Sequence, residues 1–228
     1  MTDRSVVNSN ILFRVFRIYV GNSSGTCFTI EHNNSQFIIT VKHLFKDIDY
    51  PDHIQIGLLQ NHKIVYIDCD VNYCEGDIDI AVLKPNPTIV ISRKTNIIFS
   101  LDGTQFGEEV YFVGYPFDYD LTLRNLPSSY NPIPFFKHAY ISCFVNNELI
   151  ALDGINNPGF SGSPVCRFEN GKTIVFGIVS GYRFVRSTVY KEENGNETST
   201  GDYVKENTGI VYAYSITKAL ELLKEKWS

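Results

Sequence analysis

Short runs of β-branched and aromatic residues, each closed by a turn signal, recur through almost the whole chain, and this rhythm constrains the fold more than any other feature. The runs are Phe13 to Val20, Gln36 to Val41, His53 to Leu58, Lys63 to Ile67, Ile78 to Leu83, Val110 to Val113, Ala139 to Val145, Leu149 to Leu152, Thr173 to Ser180 and Gly209 to Ala213. Between them stand Gly21-Asn22-Ser23-Ser24-Gly25, His32-Asn33-Asn34-Ser35, Asn146-Asn147 and Asn170-Gly171, all turn-formers. Such spacing predicts an all-β sandwich or barrel. One helix is expected, at the C-terminus: after Ser215 as N-cap, Ile216, Ala219, Leu220, Leu223 and Trp227 fall on one face. Two segments break the rhythm and read as long loops, Tyr115 to Lys137, rich in Pro and aromatics, and Arg186 to Asn207, which is polar. The quiet stretch Lys84 to Asp102 reads as a connector between two halves.

Composition narrows the function. With 43% hydrophobic and 14% aromatic residues over 228 positions the chain can bury a real core. A formal charge of -5 offers no basic footprint for phosphates, so nucleic acid is not an expected partner. No apolar run approaches the ~20 residues of a membrane-spanning helix, and no membrane association is expected. Met1-Thr2-Asp3-Arg4-Ser5 lacks the pattern of a secretory leader, which predicts a cytoplasmic location. The five cysteines are an odd number set mostly in apolar runs, as free buried thiols in a reducing compartment would be. Cys69 and Cys74 with His62 do not complete a zinc ligand set, and no glycine pattern for a nucleotide occurs, so no metal or cofactor is expected.

Three short stretches carry chemistry. Gly159-Phe160-Ser161-Gly162-Ser163-Pro164 sets a serine between glycines ahead of a strand-like run, where a tight backbone can aim N–H groups at a developing oxyanion. Thr40-Val41-Lys42-His43 ends an apolar strand on a histidine, and Asp77-Ile78-Asp79-Ile80-Ala81-Val82-Leu83 heads another with acids. Taken singly they have ordinary readings as a Gly/Ser turn, a strand-end histidine and a turn carboxylate. Together they supply the hydroxyl, imidazole and carboxylate of nucleophilic acyl transfer, in the chain order His, Asp, Ser. Asp77 stands near Asp79 and Ser163 near Ser161 as alternatives, and the apolar run starting directly after Asp79 favours that residue.

In these stretches the chain resembles the chymotrypsin/trypsin-like serine peptidases, and in detail the disulfide-free bacterial type similar to the high-temperature-requirement proteases. Gly25-Thr26-Cys27-Phe28, Gly107-Glu108-Glu109-Val110 leading to Gly114-Tyr115-Pro116, and Gly177-Ile178-Val179-Ser180-Gly181 extend the likeness over roughly residues 10 to 215. The resemblance implies one peptidase unit over 1–228, with two packed antiparallel β-barrels at 10–100 and 103–214 and a C-terminal helix at 215–227. It implies a serine endopeptidase with Ser161 as nucleophile, His43 as general base and Asp79 as orienting carboxylate. The N–H groups of Gly159 and Ser161 would form the oxyanion hole, and Ser180, Gly181 and Tyr182 would pair with an extended peptide or protein substrate. A regulatory protein would find its contact surface on the loops 115–137 and 186–207. Phe160 replaces the acid that pairs with a newly cut N-terminus in zymogen-forming relatives, so activity without N-terminal cleavage is expected. Ile155 stands where relatives selective for Lys or Arg carry an acid, and Tyr182 where they keep a glycine, which implies preference for small or medium apolar residues.

Overall fold

The computed structural model describes residues 9–118 and 132–227. Six strands make the first barrel: β1 (Val15–Val20), β2 (Ser23–His32), β3 (Ser35–Thr40), β4 (His53–Gln60), β5 (Lys63–Tyr73) and β6 (Ala81–Pro85). They close antiparallel in the order β1-β2-β3-β6-β5-β4. Two-residue turns, Gly21-Asn22 and Asn33-Asn34, with Gly21, Asn33 and Asn34 at positive φ, set the first two hairpins. The interior is apolar, with Phe16, Ile18, Phe28, Ile39, Leu58 and Val82 almost completely removed from solvent.

The second half contains β7 (Ile97–Phe99), β8 (Glu109–Gly114), β9 (Phe135–Phe144), β10 (Leu149–Asp153), β11 (Pro164–Glu169), β12 (Lys172–Glu193) and β13 (Asn196–Ser215). β11 pairs with both β8 and β12, so β8, β9, β10, β13, β12 and β11 form a second ring. Phe112, Ile150, Phe160, Phe176 and Val211 fill it. The helix α1 (Ile216–Lys226) follows, with the Ser215 hydroxyl accepting from Thr217 N at 3.2 Å. Its buried residues Ile216, Ala219, Leu222 and Leu223 join the core of the first barrel, and Trp227 packs on Phe37. Among the described residues no helix is long and apolar enough to cross a membrane.

The structure departs from the sequence expectations in four places. Arg186 to Asn207 is not a loop: it belongs to the paired arms of β12 and β13, which turn at Asn194-Gly195, both at positive φ. Its polarity reflects two wet faces, while Thr188, Tyr190, Tyr203 and Val204 supply strand propensity. The connector Lys84 to Asp102 holds β7, which runs parallel to β12. β2 begins at Ser23, inside the expected turn. Of the expected loop Tyr115 to Lys137, Phe135 to Lys137 open β9, and residues 119–131 lie outside the described residues.

Candidate functional site

Strand pairing brings the histidine and the aspartate together. β3 and β6 are antiparallel neighbours with Thr40 opposite Ala81, so the chain just past β3 and the chain just before β6 share one end of the barrel. His43 lies in the 3-10 turn Lys42–Ile48 after β3, and Asp79 lies two residues before β6. Asp79 Oδ1 accepts from the His43 backbone N at 2.8 Å, and Oδ2 lies 2.7 Å from His43 Nδ1. The Ser180 hydroxyl donates to the same Oδ2 at 2.5 Å. Burial alone would raise the Asp79 carboxyl, but the bond and charge of the His43 ring, the Ser180 hydroxyl and the His43 backbone N–H outweigh it and hold the carboxyl below its ordinary value. Asp77 plays another part: its carbonyl accepts from Tyr214 OH at 2.6 Å while its side chain is exposed.

Ser161 comes from the second barrel, on a turn that only glycine can make at two positions. Gly159 has φ +100°, and a Cβ there would stand 2.2 Å from Tyr115 O. Gly162 has φ +88°, and its Cβ would stand 2.0 Å from Thr26 O. Between them Phe160 points inward, fully buried and edge-on to Phe112 at 4.9 Å, so an apolar ring anchors the turn from below. Ser163 N donates to Phe160 O and Gly162 N to Val179 O, which pins the turn to β12. Among the described residues the N–H groups of Gly159 and Ser161 have no hydrogen-bond partner.

Thr26 of β2 stitches the barrels together. Its Oγ1 donates to Gly159 O at 2.7 Å and accepts from Tyr115 N at 3.0 Å, its N donates to Ser161 O at 2.8 Å, and its O accepts from Thr40 Oγ1 at 2.8 Å. The Ser161 hydroxyl itself donates to Ser180 O at 3.2 Å. Ser180 therefore touches both halves of the site, the carboxylate through its side chain and the serine through its carbonyl. Gly181 opens onto free space, with no atom within 4 Å of where a Cβ would be, and Tyr182 is half-buried. Ile155 is 61% exposed, and its carbonyl and Asn157 Oδ1 hold the Lys137 ammonium.

Sequence reasoning placed Ser180 beside a substrate but missed its bond to Asp79, and it valued Thr26 only as part of a family likeness. Both act through contacts between distant segments that no local pattern records. The cysteines are all free, and burial pushes Cys69, beside Asp68 and Asp70, up to about 12.

No protein-family profile and no curated protein matches the chain. Solved structures do. The inactive form of the Rv3671c protease is 14% identical with a TM-score of 0.59, covering 96% of this chain and 92% of that one. The active form from M. tuberculosis is also 14% identical, with a TM-score of 0.61 over 96% of this chain and 83% of that one. The fold is that of the chymotrypsin-like serine proteases. The HtrA-type protease AlgW, determined with a tripeptide, is 19% identical with a TM-score of 0.58, over 95% of this chain and 61% of that one. In this chain the two barrels meet where Thr26 N donates to Ser161 O.

Proposed function

We propose that the chain is an intracellular serine endopeptidase that cleaves peptide or protein substrates through an acyl-enzyme and needs no cofactor. The observation that carries the reading is the position of Ser180, bonded at once to Asp79 and to the Ser161 hydroxyl, which links an oriented His43–Asp79 pair to a serine on a glycine-framed turn. Asp79, accepting at Nδ1, keeps the proton on that nitrogen and leaves His43 Nε2 free as a base. Ser161 Oγ swings from Ser180 O to Nε2, loses its proton and attacks the carbonyl carbon. The oxyanion takes the unengaged N–H groups of Gly159 and Ser161, a contribution worth about 3–4 kcal/mol per donor in such sites. The imidazolium then protonates the leaving amine, and water repeats the sequence to release the acid. Five free thiols suit a reducing compartment.

Rejection of Lys and Arg before the cut is part of this reading. Ile155 offers no carboxylate, and Lys137 adds a positive charge to the same segment. A second reading draws on the Ser161 hydroxyl being turned to Ser180 O: a silent protease fold that binds peptides without cleaving them. A fluorophosphonate probe separates the two. Covalent labelling at Ser161, absent in Ser161→Ala, is expected of the peptidase; failure of the native chain to label would establish the silent module.

A further inference from the structure

β12 and β13 outrun the barrel that holds them. β11 flanks β12 as far as Ile178, and β10 flanks β13 from Ile210 onward, so among the described residues the two strands have no other strand partner from Tyr182 to Asn207. The twelve residues from Tyr182 to Glu193 give this ribbon a reach of roughly 40 Å. A two-stranded ribbon is marginally stable by itself, and an open strand edge is a template for another strand. No proline occurs between Tyr182 and Asn207, so every residue retains its N–H. Aromatic and branched side chains remain exposed along it: Phe184, Val185, Tyr190, Tyr203 and Val204. Lys205 Nζ covers the Phe184 ring at 4.8 Å.

The ribbon begins at the candidate nucleophile. Ser180 O lies 3.2 Å from Ser161 Oγ. In a substrate attacked by that oxygen, the N–H of the acylated residue is two bonds from the carbon under attack, so Ser180 O is within its reach. The residues preceding the cut then enter the open space beside Gly181 and meet the edge of β12 that no described strand pairs with.

We infer that the β12–β13 ribbon is an extended docking edge for the substrate itself, along which the polypeptide on the N-terminal side of the scissile bond adds as a third strand well past Tyr182. The inference rests on the peptidase reading and deepens it: past Tyr182, binding grows with the length of main chain before the cut more than with side-chain identity. Strand addition binds through backbone hydrogen bonds, each worth a modest net gain, and several in succession multiply.

The test measures kcat/KM on peptides extended stepwise from about four to about ten residues before the cut. A rise of about tenfold over that range is expected, with one methyl group on alternate backbone nitrogens of the long peptide abolishing it in a period of two. The same series is run on a chain in which residues 186–205 are replaced by Asn-Gly, and there the length dependence should vanish while the shortest peptide is cleaved as before. The methylated peptides need no altered protein, so they decide the matter if the shortened chain does not fold. Fluorophosphonate labelling with flat length dependence would overturn the docking edge and leave the peptidase reading intact. Where labelling fails, anisotropy of a labelled ten-residue peptide takes the place of turnover; equal binding by native and shortened chains overturns the inference. A dimer of the native chain that the shortened chain does not form would assign the edge to a second copy and also overturn it.

Discussion

Replacing Asp79 by asparagine tests the site at its most constrained atom pair. The carboxylate accepts three hydrogen bonds, one at Oδ1 from the His43 backbone and two at Oδ2, from the His43 ring and Ser180. A carboxamide has one oxygen and one NH₂ in their place. With its oxygen kept on His43 N, the NH₂ faces Nδ1 and Ser180 Oγ. The imidazole must then accept at Nδ1 and carry its proton on Nε2, where it has no lone pair left for Ser161. With the amide reversed, NH₂ confronts the His43 backbone N–H, leaving two donors nose to nose. The first arrangement conflicts with fewer bonds, so the fold should survive with the wrong tautomer. Serine triads lose on the order of 10⁴ in kcat from that change, about 5.5 kcal/mol of transition-state stabilisation. The assay is kcat/KM on an amide substrate near neutral pH, with circular dichroism as the check on folding. Asp77→Asn is the control, because its hold on Tyr214 passes through the backbone carbonyl and survives the substitution. Activity of Asp79→Asn within tenfold of the native chain, or a greater loss in Asp77→Asn, would refute the reasoning.

Ser163→Ala should retain native activity and an equal or higher melting temperature, because Ser163 Oγ is buried without a hydrogen-bond partner among the described residues; a tenfold loss would instead make it the nucleophile. Gly159→Ala must turn its peptide away from Tyr115 O, and kcat should fall by roughly two to three orders of magnitude as one oxyanion donor is lost. Unchanged probe labelling in that variant would contradict the loop geometry. The Asp79 carboxyl, held below its ordinary 3.8, lends stability that is fully present above that value and is lost as pH falls through the lower folded value. The gap between urea midpoints of the native chain and Asp79→Asn should therefore hold above 3.8 and shrink as the pH is lowered beneath it; a gap independent of pH would sink the linkage.

What could be read from the sequence was local. The runs that fill the barrels alternate or lie wholly apolar, and the serine turn carries its own glycines, so these features needed no partner to be recognised. The β12–β13 ribbon was misread because both of its faces are wet, which removes the apolar alternation that marks a strand; the turn dipeptide Asn194-Gly195 was the signal available. Thr26 and the Ser180 hydroxyl act across gaps of 133 and 101 residues, and a threonine or serine in a strand looks the same whether or not it bonds a distant loop. Phe160 was read as the absence of an acid. Its burial against Phe112 makes it an apolar anchor for the serine turn.

The segment that follows the second barrel in the chain is the one that seals the first. α1 follows the final strand of the second barrel, yet Ile216, Ala219 and Leu223 cover apolar surface of the first, and Asn33 bonds Trp227 O at 3.1 Å. Between Pro85 and Ile216 lie about 130 residues of synthesis, on the order of ten seconds at the usual pace of translation. Throughout that interval the early barrel stands with its seam wet and its partner unmade. In a nascent chain the apolar surface of the first barrel is thus covered only by residues made after the whole of the second.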